Sequence, residues 1–491
     1  MAEKFILAID QGTTGTTVLV VDSQLQVRGR ATQEFKQIFP KPGLVEHEGS
    51  AIWASIENAT QQSLKSAGIE ATDIAAIGIT NQRETTCLFD REGTPLHNFI
   101  VWQCRRTADI CTSLKDAGHE PMFRKRTGLV LDPYFSGTKL MWLLDHVDGA
   151  RDMAARGDAL FGTIDSWLVH RLTGNRVHIT DVTNASRTLM MDLETLQWDE
   201  ELCATLNVPM ACLPEIRSCS ETYGETANVG FLPDGIPVAG IAGDQQAALF
   251  GQACFFPGEA KCTYGTGCFL LLNTGERIVH SDHGLLTTVA CQINGQTSYA
   301  LEGAAFIAGA AVQWLRDGLQ IIEEAAEIEK WAQMAEETGD VVFVPALAGL
   351  GAPHWRTEAR GMLAGLTRDS GRPELCRAVL EGIAMQNRDI LEAMRKDAGS
   401  LNVLKVDGGA SANNLLMQMQ ADLLDLPCVR PEVLETTALG AAALAGLAVG
   451  MFSHADDVRK VWREDRQFTP DIVPDKREAT LTKWERAVQR A

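Results

Sequence analysis

No run of lysine and arginine in the 491 residues is long enough to make the positive stripe that tracks a phosphate backbone. The balance tips the other way: 44 basic against 64 acidic side chains give a formal net charge of −20. Nucleic acid is therefore not an expected partner, and a nucleotide would have to be held locally by backbone N–H groups, a divalent cation and a few placed charges. No segment has the Pro/Ser/Gln bias of a disordered tail, and 45% hydrophobic with 22% charged residues is the composition of a folded chain. There is no leader-like apolar run at the start; the five residues before Asp10 read as a strand. The longest uncharged stretch, Thr436–Ser453, is too rich in Ala and Gly for a membrane span and is expected to be a close-packed internal helix. Twelve cysteines occur without a C-x-x-C pair, as expected of reduced thiols in a cytoplasmic protein. His280 and His283 lack a third ligand at useful spacing, so no metal is expected there.

What is present is an alternation of strand-like and helical segments. Phe5–Asp10, Val18–Asp22, Ile74–Thr80 and Phe99–Trp102 read as strands, and Arg105–Lys115 and Thr138–His146 as helices. The length exceeds one ordinary core, so two α/β domains are expected, 1–250 and 251–491, divided where a glycine-bracketed turn at Gly240–Asp244 opens a helix and a new strand begins at Ala260. A faint repeat supports the cut: strand-turn-strand with Gly12-Thr13 in the turn is echoed by Lys261–Leu272 with Gly265-Thr266 in the turn.

Asp10-Gln-Gly-Thr-Thr-Gly-Thr-Thr17 lies between two short apolar runs and can aim several N–H and O–H donors at one anion. No Gly-Lys-Ser/Thr follows, so it is not a Walker A loop. Val403–Val406 runs into Asp407-Gly-Gly-Ala-Ser-Ala-Asn413, where paired glycines would let a flat ligand or a phosphate approach a helix start. Each motif alone has an ordinary reading as a turn; together they form the pattern of an actin-like, ribonuclease H-like pair of domains with mixed sheets flanking a central ATP cleft. In that cleft Asp10 is the candidate Mg²⁺ carboxylate, acting through water. Arg83 and Glu84 stand at a strand end, where a donor fork beside an acceptor suits a vicinal diol, although such neighbours are often a solvated surface pair. Asp244 fits a helix N-cap equally well.

These segments, with Asn81-Gln-Arg-Glu-Thr-Thr, Val101-Trp-Gln-Cys-Arg-Arg, Asp132-Pro-Tyr-Phe-Ser-Gly-Thr-Lys, Gly243-Asp-Gln-Gln-Ala-Ala-Leu-Phe-Gly and Thr263-Tyr-Gly-Thr-Gly-Cys, resemble the FGGY carbohydrate kinases, and within them the glycerol-phosphorylating branch. The similarity runs over residues 4 to 450 and includes both signatures, Tyr134–Asp145 and Gly361–Leu366 followed by Glu374–Glu381. It implies ATP-dependent phosphorylation of glycerol to sn-glycerol 3-phosphate. Arg83, Glu84, Tyr134, Asp244 and Gln245 would hydrogen-bond glycerol, Trp102 and Phe269 would cover its carbon edge, and Asp244 would be the general base. Thr13, Thr14, Gly15 and Thr266 would hold phosphates, and Gly309, Gln313, Gly409 and Asn413 would line the rest of the ADP site. The resemblance also implies a homodimer or homotetramer.

Two departures stand out. Many relatives carry an arginine where this chain has Thr17, so ATP would be bound more weakly unless another cation compensates. The loop Gly230-Phe-Leu-Pro-Asp-Gly235 lacks the arginine with which regulated relatives bind fructose 1,6-bisphosphate, and Asp234 would repel a bisphosphate, so little inhibition by that sugar is expected. Neither the histidine phosphorylated in other relatives nor a transport-regulator docking tail is evident. Two other functions fit the same cleft: phosphorylation of a longer polyol or ketose, and a nucleotide-switched binding protein with no acceptor.

Overall fold

The computed structural model describes residues 4–356 and 358–491. The first half is built on a six-stranded sheet formed by β1 (Phe5–Gln11), β2 (Gly15–Val21), β3 (Val27–Glu34), β4 (Ile74–Asn81), β5 (Ser220–Glu225) and β6 (Pro237–Gly243), in the order β5-β6-β4-β1-β2-β3. The second half is built on seven strands: β7 (Glu259–Tyr264), β8 (Cys268–Gly275), β9 (Leu286–Ile293), β10 (Gln296–Ala305), β11 (Val403–Asp407), β12 (Cys428–Pro431) and β13 (Glu464–Phe468). Their order is β9-β10-β8-β7-β11-β12-β13. Both sheets share one plan. A first strand sits centrally, two antiparallel strands follow on one side and two parallel strands on the other. The two halves are thus actin-like, ribonuclease H-like units with mixed sheets.

The sheets are buried on both faces, so their central strands read as unbroken apolar runs rather than alternating ones. Helix α1 (Gly49–Ala67) covers the first sheet over β2 and β3. Helices α2 (Ser136–His146) and α3 (Asp244–Gly251) follow, the latter directly after β6. In the second half α4 (Arg372–Ala398) packs beneath its sheet and against α5 (Asn414–Leu424). Helix α6 (Thr436–Ala448) belongs to the second half by sequence but lies against β1, β4 and β6 of the first sheet and against α3. Its alanines and glycines are explained by this position. A Cβ on Gly440 would stand 1.9 Å from the Ala247 carbonyl oxygen, and one on Gly78 of β4 would stand 2.3 Å from that of Ala441. Among the described residues, no helix is long and apolar enough to cross a membrane.

The predicted elements are found, with shifted ends. The strand expected from Val18 begins at Gly15, so the loop after Asp10 narrows to a turn around Gly12-Thr13-Thr14 closed by Gly12 N–H donating to Gly15 O at 2.9 Å. The helix expected from Arg105 begins at Ala108. The paired glycines do not open a helix directly. Gly409–Ala412 form a turn of 3₁₀-helix, and α5 starts at Asn414 with Asn413 as its cap, the Asn413 side chain accepting from Leu416 N–H at 2.9 Å.

Candidate active site

Parallel pairing aligns β6, β4 and β1: Gly243 lies beside Asn81, which lies beside Gln11. Three segments therefore leave the sheet together at the carboxyl ends of parallel strands, where open α/β sheets place their ligands. They bring Asp10, Arg83, Glu84 and Asp244 to one end of the sheet. The Asp10 carboxyl is pushed up to about 7 by burial and by the neighbouring Asp244 carboxylate. Among the described residues no hydrogen bond or ion pair reaches the Asp10 carboxyl. Two neighbouring carboxylates, one lacking a cation, form an all-oxygen donor set that fits a hard divalent ion.

Arg83 and Glu84 do not act as the simple adjacent pair that their sequence suggests. Their closest approach is 3.8 Å, and the Arg83 guanidinium instead donates from Nη1 at 2.5 Å and Nη2 at 3.1 Å to the two oxygens of Glu302 on β10. Its Nε faces Asp244 Oδ1 at 3.2 Å, and Nη2 faces the Tyr134 hydroxyl at 3.4 Å. Arg187 completes the network, donating from Nε to Glu84 at 2.6 Å and from Nη2 to Glu302 at 2.8 Å. Burial pushes the Glu302 carboxyl up, but the two guanidinium charges outweigh it and hold the group down at about 2. Asp244 is not the helix cap; Gly243 is, and Asp244 is the first helical residue, its Oδ1 accepting from Gln245 N–H at 2.7 Å.

An aromatic wall closes the same space. Trp102 stands edge-on to Tyr134 at 5.6 Å and to Phe269, from the second half, at 6.4 Å. The Trp102 indole N–H donates to the Thr13 hydroxyl at 2.9 Å, tying the wall to the first Gly-Thr turn. Gln82 joins that turn to the strand end, donating to Gln11 at 3.0 Å and to Gly12 O at 3.2 Å, while its carbonyl oxygen accepts from Thr85 at 2.8 Å. On the opposite side Lys261, fully buried, donates to the Gln245 side-chain oxygen, to Thr263 at 2.9 Å and to Phe269 O at 3.3 Å.

The second Gly-Thr turn lies in the other half. Gly309 N–H donates to Gly265 O at 3.0 Å, and Ala308 and Ala310 N–H donate to Thr266 O at 2.8 and 3.0 Å. Gly408, with φ +84°, packs against the Tyr264 backbone. No atom lies within 4 Å of where a Cβ on Gly409 would stand, leaving open space at this turn. Thr14, Thr266, Gln313 and Gly409 are exposed, and Thr13, Gly15, Gly309 and Asn413 are partly so. Thr17 lies opposite Asp10 in the β1–β2 ladder and spends its hydroxyl on Thr32 at 3.0 Å. His283 pairs with Asp397 at 2.6 Å, away from these turns.

Sequence reasoning missed Glu302, Arg187, Gln82 and Lys261. Glu302 and Lys261 are charged residues inside apolar strands, and that was the available signal: a charge is rarely buried without a partner.

The comparisons with known proteins agree with this architecture. The N-terminal domain of the FGGY family of carbohydrate kinases matches residues 5–251, and the C-terminal domain of that family matches residues 260–449. Glycerol kinase of Myxococcus xanthus is 61% identical over 492 residues, covering 99% of each chain. That of Xanthomonas campestris is 54% identical, covering 100% of this chain and 98% of its own. The crystal structure of Plasmodium falciparum glycerol kinase with ADP superimposes with a TM-score of 0.93 at 38% identity, over 99% of this chain and 98% of that one. Gluconate kinase of Lactobacillus acidophilus, 23% identical with a TM-score of 0.88 over 98% of this chain and 96% of its own, shares the fold. Strand plan and kinship over the whole length lead to one assignment: the chain belongs to the FGGY family of carbohydrate kinases.

Proposed function

We propose that the chain transfers the γ-phosphoryl group of ATP to a terminal hydroxyl of glycerol, giving sn-glycerol 3-phosphate, with Asp244 as general base. One observation carries the assignment of the base. Of the three carboxylates in the Arg83 network, Glu84 and Glu302 are at most 2% exposed and each bound to Arg187, whereas Asp244 is 30% exposed and is the one open to take up a proton. Arg83 Nε and Gln245 N–H both engage Oδ1, fixing the carboxylate and leaving Oδ2 to accept the proton from the attacking hydroxyl. Glycerol kinases at 53–61% identity over the full length support the substrate.

The remaining groups suit a three-carbon polyol. Glu84 gives one oxygen to Arg187 and keeps the other for a hydroxyl. The long 3.4 Å contact between Arg83 and Tyr134 is one that a substrate oxygen can replace. Lys261 holds the Gln245 carbonyl oxygen, which turns the amide N–H₂ toward the acceptor. Trp102 and Phe269 cover carbon and exclude water, which limits wasteful ATP hydrolysis. Thr13, Thr14 and Gly15 on one turn and Thr266 on the other supply hydroxyl and N–H donors to the phosphates, with Thr17 beside them. Gly309, Gln313, Gly409 and Asn413 frame the remainder of the nucleotide. Asp10, with Asp244 beside it, would hold Mg²⁺ through water, and the ion when bound neutralises charge on the β- and γ-phosphates.

The test is ADP release from Mg-ATP with glycerol, glyceraldehyde, erythritol, xylulose or no acceptor, with Asp244→Asn in parallel. Turnover selective for glycerol that falls by about 10²–10⁴-fold in the variant is expected. Preference for a longer polyol would move the substrate, and acceptor-independent hydrolysis surviving in the variant would overturn the kinase mechanism.

A further inference from the structure

Lys139 stands in the first turn of α2, is fully buried, and makes no ion pair among the described residues. Its three ammonium hydrogens meet three backbone carbonyls: Tyr134, very closely, Phe135 at 3.2 Å and Glu84 at 3.3 Å. Burying a full charge against neutral oxygens is costly, and a nonpolar side chain would fill the space without that cost. The three carbonyls belong to two loops that face the acceptor site, one following β4 and one preceding α2. Glu84 also adopts φ +60°, the left-handed region that non-glycine residues enter only when held there, and the Ser136 and Thr86 hydroxyls add a second and a third bond to its carbonyl, each at 3.1 Å.

We propose that Lys139 is a positioning residue for the acceptor: by clamping the carbonyls of Glu84, Tyr134 and Phe135 it fixes the gap between the Glu84 carboxylate and the Tyr134 hydroxyl, and so the polyol that fits. This rests on the reading that a polyol binds between those two side chains. The clamp is complete only with three hydrogens, because a neutral amine has two and turns a lone pair toward a carbonyl. Burial lowers the Lys139 ammonium to about 8, opposed by Glu84 from the loop after β4, Cys104 from the next loop, Asp132 from the loop before α2 and Cys111 from the helix Ala108–Asp116. The clamp is therefore intact below about pH 8 and weakens above it.

The experiment measures KM for glycerol and KM for ATP between pH 6.5 and 9.5 in the full-length enzyme, in Lys139→Arg, Lys139→Met and Glu84→Gln. In the unaltered enzyme KM for glycerol should rise severalfold above pH 8 while KM for ATP stays level. Lys139→Arg, whose charge persists, should hold KM for glycerol level across the range, and Lys139→Met should raise it by about tenfold or more at every pH. If Lys139→Met does not fold, the first two enzymes still decide: an alkaline rise unchanged in Lys139→Arg, or absent from the unaltered enzyme, overturns the proposal. Glu84→Gln separates the two readings. If it leaves KM for glycerol unchanged, the acceptor site itself is misplaced; if it raises KM while Lys139→Met does not, only the positioning role falls.

Discussion

Arg83 and Glu302 approach from different halves of the chain, 219 residues apart, and meet with almost no solvent. A buried ion pair adds little net stability over a well-packed apolar pair, but removal of one partner strands the other charge, at a cost of about 3–5 kcal/mol. Glu302→Gln is therefore expected to lower the denaturation midpoint and to raise KM for glycerol more than KM for ATP, because Arg83 loses the fork that aims its Nε at Asp244. The pH dependence has a definite sign. With its folded value near 2 against an ordinary 4.5, Glu302 contributes stability that is present above about pH 5 and is lost as pH falls toward 2. Denaturation midpoints at pH 6, 4 and 3 should fall less steeply in the glutamine variant. Asp10 has the opposite sign: its raised value means that folding suffers as pH climbs from about 4 through 7. Asp10→Asn should raise the midpoint of the nucleotide-free protein at pH 8, leave it nearly level at pH 4, and abolish turnover. In the unaltered protein, affinity for the metal-nucleotide should rise with pH through about 7 as Asp10 ionises. Of these residues, Asp10, Arg83 and Asp244 were legible because a charge following an apolar run marks a strand end. Glu302 and Arg187 were not, because their significance lies in their partners, Glu302 holding Arg83 and Arg187 holding Glu84 and Glu302, and no local pattern encodes a contact between residues over a hundred positions apart.

At the scale of the element, existence and type were legible and ends were not. Apolar runs announced β1, β4, β7 and β11, yet β2 begins three residues before its apolar run because cross-strand pairing with β1 and β3 carries Gly15, Thr16 and Thr17 into the ladder. The Ala/Gly composition of α6 signalled close packing, but its partner could not be read, since the sheet it covers comes from residues more than 190 positions earlier. Helix α6 approaches α3 and β4 at backbone distance, so any added volume must displace main chain. Gly440→Ala is expected to cost about 1–3 kcal/mol or more, visible as a lower denaturation midpoint. Activity per folded molecule should drop with it, because α3 begins at Asp244. Glycine substitutions at Gly399, where no neighbour lies within 4 Å, offer the comparison for a purely conformational effect.

Across the whole molecule, the faint Gly-Thr echo in the sequence corresponds to a repeated strand plan, and each copy carries one such turn, which the proposed function assigns to the phosphates. The two copies differ in what they add. The first contributes the loops that carry Arg83, Glu84, Trp102 and Tyr134, and the second contributes Phe269, Glu302 and the open turn at Gly409. The copies are also interlocked, because α6 lies on the first sheet while the chain that follows it returns to the second through β13. This interlocking has a consequence for how the protein is made. During synthesis the first 251 residues emerge long before Thr436–Ala448, so the first sheet waits with a glycine-lined face uncovered until nearly nine-tenths of the polypeptide has been made. Completion of the first half is in this sense one of the last events of translation, and a chain that stops short of α6 leaves the first sheet, and the helix that begins at Asp244, without the helix that covers them.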